Sequence, residues 1–522
     1  MKGPRSVDWQ AHSADRSHWL PLRRRRLLAV LLLACAPALP ADQAPNAPFA
    51  RKDATAVGLA PSVMTATVED GLRQILDDAL AANLELRAGE AEIRQRLAGL
   101  DQARARYLPA IDIAARYSVA DGGRTIEFPV GDLLNPVYAT LDELLVASGQ
   151  PPRFPRIENQ SVTFLRGNEQ ETKVVVEQPI YEPRLGPAVA ASRAEVDRAT
   201  ANLAALRARV VRDTHQAYYL WLATQQAVLV LEATLELAQA NLAANESLYR
   251  NGKITRDLVL RAEADLLEVE QQRISAASRV RIAQGYVNLL RNVPLATPLP
   301  RAEIDAPTVE RFRERLIRRL AGGSLDPAAL QQVATGRRSE LKGLDAAIAG
   351  GEARQDLARA AFRPRVVLGA ETGIQGDDYG FSEDERYALA SVILRWNLFR
   401  GGADRAALME ARAFTDQMRA TRDLAAQRVR LEVQEAVEQL EVAGASLDTA
   451  LKRAEAADGA LRIASRKRDL GQINQAEFID ARRAMTDARL NLNRVRAEFL
   501  ARIAELEFAV GDPRATQKEL IR

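Results

Sequence analysis

The sequence predicts a mainly α-helical chain with a smaller β component, laid out as one plan used twice: short helix, β-hairpin, long coiled-coil helix, short helix. Three observations predict it. No proline interrupts the roughly 68 residues between Gly402 and Gly471, a rod of about 100 Å at 1.5 Å per residue. Within it Val433, Val437, Leu440, Gly444, Leu447, Leu451 and Ala454 alternate spacings of four and three, the seam of a coiled coil. Landmarks then recur at matched distances. Glu85 to Pro109 and Glu340 to Pro364 are both 24 residues, Tyr181 to Gly252 is 71 against 72 for Phe399 to Gly471, and Gly252 to Asn292 and Gly471 to Gly511 are both 40. Such agreement marks an internal repeat.

Taken in order, residues 1–41 read as a secretory signal. Arg23 to Arg26 precede an apolar run from Leu27 to Ala34, a basic stretch and then a short hydrophobic one. The run is too short for a permanent membrane helix. Cys35 follows Leu32-Leu33-Ala34, which resembles a bacterial lipobox. Either Cys35 becomes a lipidated first residue, or it is a bystander and cleavage follows Ala38 or Ala41. Residues 42–68 read as a linker.

The first repeat, 69–293, opens with a helix of about 40 residues (69–108) and carries strands at 110–117 and 173–178. Its long helix runs from Pro187 to Asn251, with a second stripe at Val228, Leu231, Leu235, Ala238 and Leu242. A helix over 253–293 follows the turn. Pro109 to Tyr181 spans 72 residues against 35 for Pro364 to Phe399. The extra residues form an insertion, 121–170, at the hairpin tip, with a helix expected at 137–147. Residues 294–330 join the repeats. The second, 331–513, has strands at 365–371 and 387–396, and 514–522 is a tail. Gly252 and Gly471 suit left-handed helix ends. A long rod should lie beside two half-length rods. Four strands cannot close a barrel alone, so with a secretion signal they imply a membrane β-barrel shared between several chains.

The totals exclude several classes. The formal net charge is +3, but residues 1–41 hold seven of the 72 Lys and Arg and two of the 69 Asp and Glu. The remainder is 65 basic against 67 acidic, so no nucleic-acid partner is expected. One Cys and three His, two of them in the leader, leave no metal or cofactor set. His215 with Asp213 and Tyr218 is read as a polar helix face. Tyr218, Tyr219 and Trp221 are expected to pack between helices. Gly122-Gly123 and Gly322-Gly323 lack the context of a phosphate loop. No nucleophile–base pair is apparent, and an enzyme is not expected.

Local motifs in this order resemble the TolC family of outer-membrane efflux proteins over roughly residues 69–513. Tyr107-Leu108-Pro109 and Phe362-Arg363-Pro364 resemble the proline that ends the first helix. Gln178-Pro179-Ile180-Tyr181 and Trp396-Asn397-Leu398-Phe399-Arg400-Gly401-Gly402 resemble the strand-to-helix junction, and Tyr249 to Val259 resembles the periplasmic turn. Arg400 stands where an Asp is usual, and Pro183 and Pro187 replace the first glycine pair, which leaves the junction geometry open. The resemblance implies a homotrimer, with a 12-strand β-barrel in outer-membrane lipid continuous with a 12-helix α-barrel across the periplasm. It implies an equatorial belt including 294–330, a periplasmic adaptor (membrane fusion) protein, and an inner-membrane pump of RND, ABC or MFS type.

The resemblance also implies a gate. The family's acidic gate positions fall on Glu477 and Asp480, three apart and so on one helix face, with Asp257 as a companion. A ring of carboxylates at a constriction favours cations. The competing reading is an ordinary solvated helix face. The turns themselves, Gly252, Lys253, Ile254 and Thr255, and Gly471, Gln472, Ile473 and Asn474, are the expected adaptor contacts. Arg256 and Arg468 either bridge the closed state or cap helix ends, and capping is the expectation. An adaptor protein or a coiled-coil scaffold is the alternative class. The first would need one central hairpin between β-domains, and the doubled plan argues against it.

Overall fold

The computed structural model describes residues 67–511 apart from 164–166, 320–324, 379 and 381. The signal, Cys35, nearly all of the linker and the tail lie outside the described residues. The linker's last two residues do not: Thr67 caps the first helix and Val68 is buried in it.

Helices α1 (Val68–Ala82) and α2 (Leu84–Ala105) lead into β1 (Ala110–Val119). The excursion β2 (Thr125–Phe128), α3 (Val130–Ala147) and β3 (Gln160–Thr163) follows, then β4 (Asn168–Tyr181). The rod α4 (Leu185–Arg250) turns into α5 (Arg256–Leu290). After α6 (Ala306–Arg319) come α7 (Pro327–Arg337), α8 (Ser339–Ala360), β5 (Arg365–Gly376), β6 (Arg386–Arg395), α9 (Ala403–Asp469) and α10 (Gln475–Val510).

The helix expected over 69–108 is two helices, broken at Asn83, and its counterpart in the second repeat, expected over 325–362, is likewise broken at Arg338. Both residues leave the helix at nearly the same angles, φ −56° ψ 129° and φ −57° ψ 124°. The breaks are held by side-chain chemistry. Asn83 Oδ1 accepts from the Glu85 and Leu86 amides, and its Nδ2 donates to the last carbonyl of α5, Leu290. Arg338 donates to the Ala509 carbonyl near the end of α10 and pairs with Glu340 and Glu432. Each break thus satisfies carbonyls that a helix end leaves without partners.

Neighbouring elements set the layout. Rod α4 packs against α2 and α5 on one side and against α8 and α10 on the other, and α8 and α10 also pack on α9. The two half-rods therefore lie end to end beside each long rod. Four rods result, ordered α2/α5, α4, α8/α10, α9. The strands follow the same order in one antiparallel sheet, β1-β4-β5-β6. Two separate hairpins were expected. The structure joins them through β4 and β5, in register from Gln170 with Gly376 to Gln178 with Leu368.

The predicted seams are buried at most positions, Val433, Val437, Leu440, Leu447 and Ala454 on α9 and Val228, Leu231 and Ala238 on α4, and shift by one residue at the others. On α9 the buried positions are Leu440, Ala443, Leu447, Ala450 and Ala454, and Leu451 is exposed. On α4 they are Leu231, Thr234, Ala238, Asn241 and Asn245, with Leu235 and Leu242 half-buried. At the shifted positions Ala450, Thr234 and Asn241 are buried in place of Leu451, Leu235 and Leu242, smaller residues that let helices approach closely, while Leu231, Leu440 and Leu447 stay in the seam.

The main core lies where α1, α6 and α7 wrap the rods. Tyr218, Tyr219 and Trp221 are buried there with Ile75, Val433 and Leu500. Phe312 of α6 meets Tyr219 edge-on with ring centroids 6.1 Å apart, and Tyr218 donates to the Pro300 carbonyl at 2.9 Å. His215 is buried beside Tyr219, not on a polar face, because α4 is covered here on several sides. By length and composition α4 contains one stretch apolar enough to cross a membrane, 28% of it buried.

In the insertion, α3 starts seven residues before the expected 137 and contains Pro136. Asn135 and Ile157 exchange two 2.8 Å hydrogen bonds and Asn159 binds Asp132, which fixes this first stretch.

Candidate functional site

Two regions carry candidate function: the turn end of the rods and the sheet. The turn end is built from α4–α5 and α9–α10. Gly252 (φ 67°) and Gly471 (φ 70°) are left-handed, as a helix stop requires. Lys253 N–H reaches back to the Leu248 carbonyl and Gln472 N–H to that of Lys467, the same six-residue closure twice. Ile254 and Ile473 are half-buried, and Gly252, Lys253, Thr255, Gly471, Gln472 and Asn474 are exposed.

Helices α4 and α10 run antiparallel, with Thr234 against Thr486 at 3.1 Å, Ala223 against Asn493 and Gln216 against Glu505. That register brings Gly252 level with Gly471. Asp257, Glu477 and Asp480 therefore stand at one end, within about three turns of the tips, and all three are exposed. Two already have local work. Asn474 accepts from the Glu477 amide and donates Nδ2 to its carboxylate at 3.1 Å, a cap on α10. Asp257 accepts from the Thr255 hydroxyl. Asp480 has the side facing away from buried Phe478 and Ile479. Arg468 lies 4.1 Å over the Phe478 ring and pairs with Asp469, so it fastens the end of α9 to the start of α10. Arg256 opens α5 and is exposed.

Sequence reasoning missed a buried ion pair close by. Arg482 of α10 donates to Asp265 of α5 at 2.6 Å, with side chains 2% and 3% exposed. Arg483 reaches Asp265 at 3.4 Å and Glu268 at 2.6 Å. These charges close the turn-ward end of an open groove of about 830 Å³ between α5 and α10, floored by Ala223 and Leu231 of α4. No spacing within either helix signals the pair, because its members are 217 residues apart.

The sheet has two unlike faces. Ile111, Ile113, Val174, Val176, Leu368 and Val392 share one, by their cross-strand partners. Ile113 is 77% exposed. Asp112, Arg116, Glu169, Glu171, Lys173 and Glu371 share the other, where Lys173 bridges Glu171 at 2.9 Å and Glu371 at 3.2 Å. Tyr387 donates to Glu171, and Arg116 reaches Glu171 at 3.4 Å. An exposed apolar face opposite a hydrogen-bonded polar face is the pattern of a strand between lipid and water. Strand lengths of 10, 14, 12 and 10 residues suit a tilted crossing of the hydrocarbon. At the strand–helix junction Tyr107, Tyr181, Phe362, Trp396 and Phe399 are exposed together, as in an interfacial aromatic girdle.

The two junctions differ. Gly401 and Gly402 are both left-handed before α9. Before α4, Arg184 is right-handed and Pro187 is the third helical residue, where its missing N–H costs nothing. Among the described residues no group of three or more His, Cys, Asp or Glu could hold a metal.

Comparison with known proteins adds three findings. The family model described as "Outer membrane efflux protein" matches residues 159–290 and 330–512. Protein CyaE of Bordetella pertussis is 33% identical over 135 residues, 26% of this chain and 28% of that protein, so the match spans little more than a quarter of CyaE. Among solved structures, the Campylobacter jejuni CmeC outer membrane channel matches with a TM-score of 0.66 at 14% identity, over 90% of this chain and 94% of that one. CusC gives 0.68 at 16%, over 89% and 99%, and the Neisseria gonorrhoeae MtrE outer membrane channel 0.65 at 17%, over 84% and 88%. At these identities the structures establish a shared fold.

Proposed function

The chain belongs to the outer membrane efflux protein family and is an outer-membrane protein, and from that premise we propose that three copies form a passive exit duct, the outer-membrane channel of a tripartite efflux or type I secretion system. One observation carries this reading: strands and rods follow the same lateral order, and both end in open edges. Strand β1 and half-rods α2/α5 form one edge, β6 and α9 the other. In lipid an open sheet edge is forbidden, so the edges must pair with other copies. Three internally duplicated chains would give twelve strands continuous with twelve helices. Apolar residues exposed along α5, Leu260, Leu267, Ile274 and Ile282, are spaced seven, seven and eight, a vacant coiled-coil seam for the next copy.

In this assembly the polar sheet face lines the duct, and Glu477, Asp480 and Asp257 ring its turn end as a periplasmic gate. The tips Gly252 to Thr255 and Gly471 to Asn474 meet the hairpin of a periplasmic adaptor, through which an inner-membrane pump supplies the energy. An adaptor role for this chain itself has no support in a layout of two hairpins on one sheet.

The first test is cell-envelope fractionation and an unheated denaturing gel. An outer-membrane trimer is expected, and a soluble periplasmic monomer overturns the duct. The gate is tested by Glu477→Gln with Asp480→Asn in planar bilayers. Gln keeps an acceptor for Asn474, so cap and charge are separated. Higher conductance or weaker block by multivalent cations is expected, and no change in either removes the gate from these residues.

A further inference from the structure

The insertion displays an apolar helix face that nothing in this chain covers. On α3, Leu133, Val137, Leu141 and Leu144 recur at spacings of four, four and three, so they form one stripe, and they are 39–69% exposed. The opposite face is firmly pinned. Asn135 and Ile157 hold each other, Asp142 accepts from the Arg153 and Phe154 amides, and Tyr138 packs on Phe154 with centroids 5.0 Å apart. A Cβ on Gly131 would run into the Ile157 carbonyl, so α3 sits as close to that segment as the backbone allows. Hairpin β2–β3 carries the unit as an antiparallel extension beyond β1 and β4. The stripe is therefore presented on a braced support.

The unit's place and charge decide what covers it. It extends the β1–β4 hairpin, and β1 has the unpaired outer edge of the sheet, so in a closed barrel it stands beside the junction between one copy and the next. Helix α3 has Asp132, Asp142 and Glu143 and no Lys or Arg. A helix lying on anionic lipid carries basic residues on its polar face, and α3 offers the reverse. A threefold assembly presents the same apolar stripe three times around one axis.

We propose that the α3 helices of three copies pack on one another through Leu133, Val137, Leu141 and Leu144, forming a helical cap at the outer end of the barrel. This rests on the trimer proposed above. The second hairpin has only a short loop at the same end, so the cap is an addition to the barrel and the barrel should form without it.

Single cysteines placed at Val137 or Leu141 in the full chain, oxidised in intact cells, test the contact. A disulfide requires Cα atoms about 4.4–6.8 Å apart, so Val137→Cys or Leu141→Cys should give about tenfold more covalent dimer than Glu143→Cys on the flank of α3. A second measurement uses Val137→Asp with Leu141→Asp. Here the unheated trimer should persist, while single-channel conductance and uptake of a large external glycopeptide antibiotic rise. If the trimer forms but neither cysteine crosslinks above Glu143→Cys, or if both crosslink to another protein, the cap is wrong and the duct stands. Absence of any trimer sinks both readings.

Discussion

Asp265 and Arg482 show how a single pair can govern this fold. Removing one partner of a buried ion pair strands the other charge, at about 3–5 kcal/mol. Asp265→Ala should lower the unfolding midpoint sharply, while Asp265→Leu with Arg482→Met should recover most of the loss in thermal denaturation of the purified protein. Equal midpoints for Asp265→Ala and the parent would deny the pair any structural weight. A pH dependence is expected at Asp305, the residue before α6. Burial by itself would raise its carboxyl, but the Thr308 hydroxyl and amide, aided by Arg311, hold it below the ordinary value of 3.8. A depressed folded value means stability that is present above the unfolded pKa and lost as pH falls through the folded one. The midpoint difference between Asp305→Asn and the parent should therefore shrink as pH drops below about 3.8. A constant difference down to acid would contradict that cause. At this scale the turn at Gly471 was legible, and Glu477 and Asp480, singled out by the family resemblance, stand exposed beside it. Asp265 and Arg482 were not legible, because a lone charge on a helix reads as solvated until the facing helix is known.

Helices and strands were largely visible from local pattern. Proline-free length announced α9, the matched spacings announced α4, and paired glycine landmarks announced the turns, with φ of 67° and 70° as the stops require. The breaks at Asn83 and Arg338 were hidden, because each depends on carbonyls at the end of another helix, Leu290 and Ala509. The seams follow the predicted stripes except at a few positions, for a related reason. Leucines drew the eye to Leu451 and Leu242, yet close packing inside the chain selected Ala450 and Asn241. The stripe on α5 belongs to this scale. Leu267→Asp would put a charge into each vacant seam, and the unheated oligomer band should be lost while circular dichroism stays helical. An unaltered oligomer would assign that stripe no partner.

At the largest scale the decisive feature is the shared order of strands and rods, which leaves the described residues with two open edges, β1 with α2/α5 and β6 with α9. Its two sheet faces give a test. A Lys near mid-strand on the lipid side of a membrane barrel costs about 2–4 kcal/mol. Val392→Lys should therefore cut outer-membrane yield severely, and Ser391→Lys, on the polar face, should not. Similar losses from both would mean the faces are assigned wrongly. The sequence by itself determined the rods, the turns and the doubled landmarks, because periodicity and stop signals act over a few residues. Only the tertiary structure decided that β4 joins β5, that Ala450 and Asn241 enter the inner seams in place of Leu451 and Leu242, that Asp265 meets Arg482, and that α3 turns its leucines outward. Each of these depends on which distant surfaces come together, and burial can change the meaning of a residue only once its neighbours are in place.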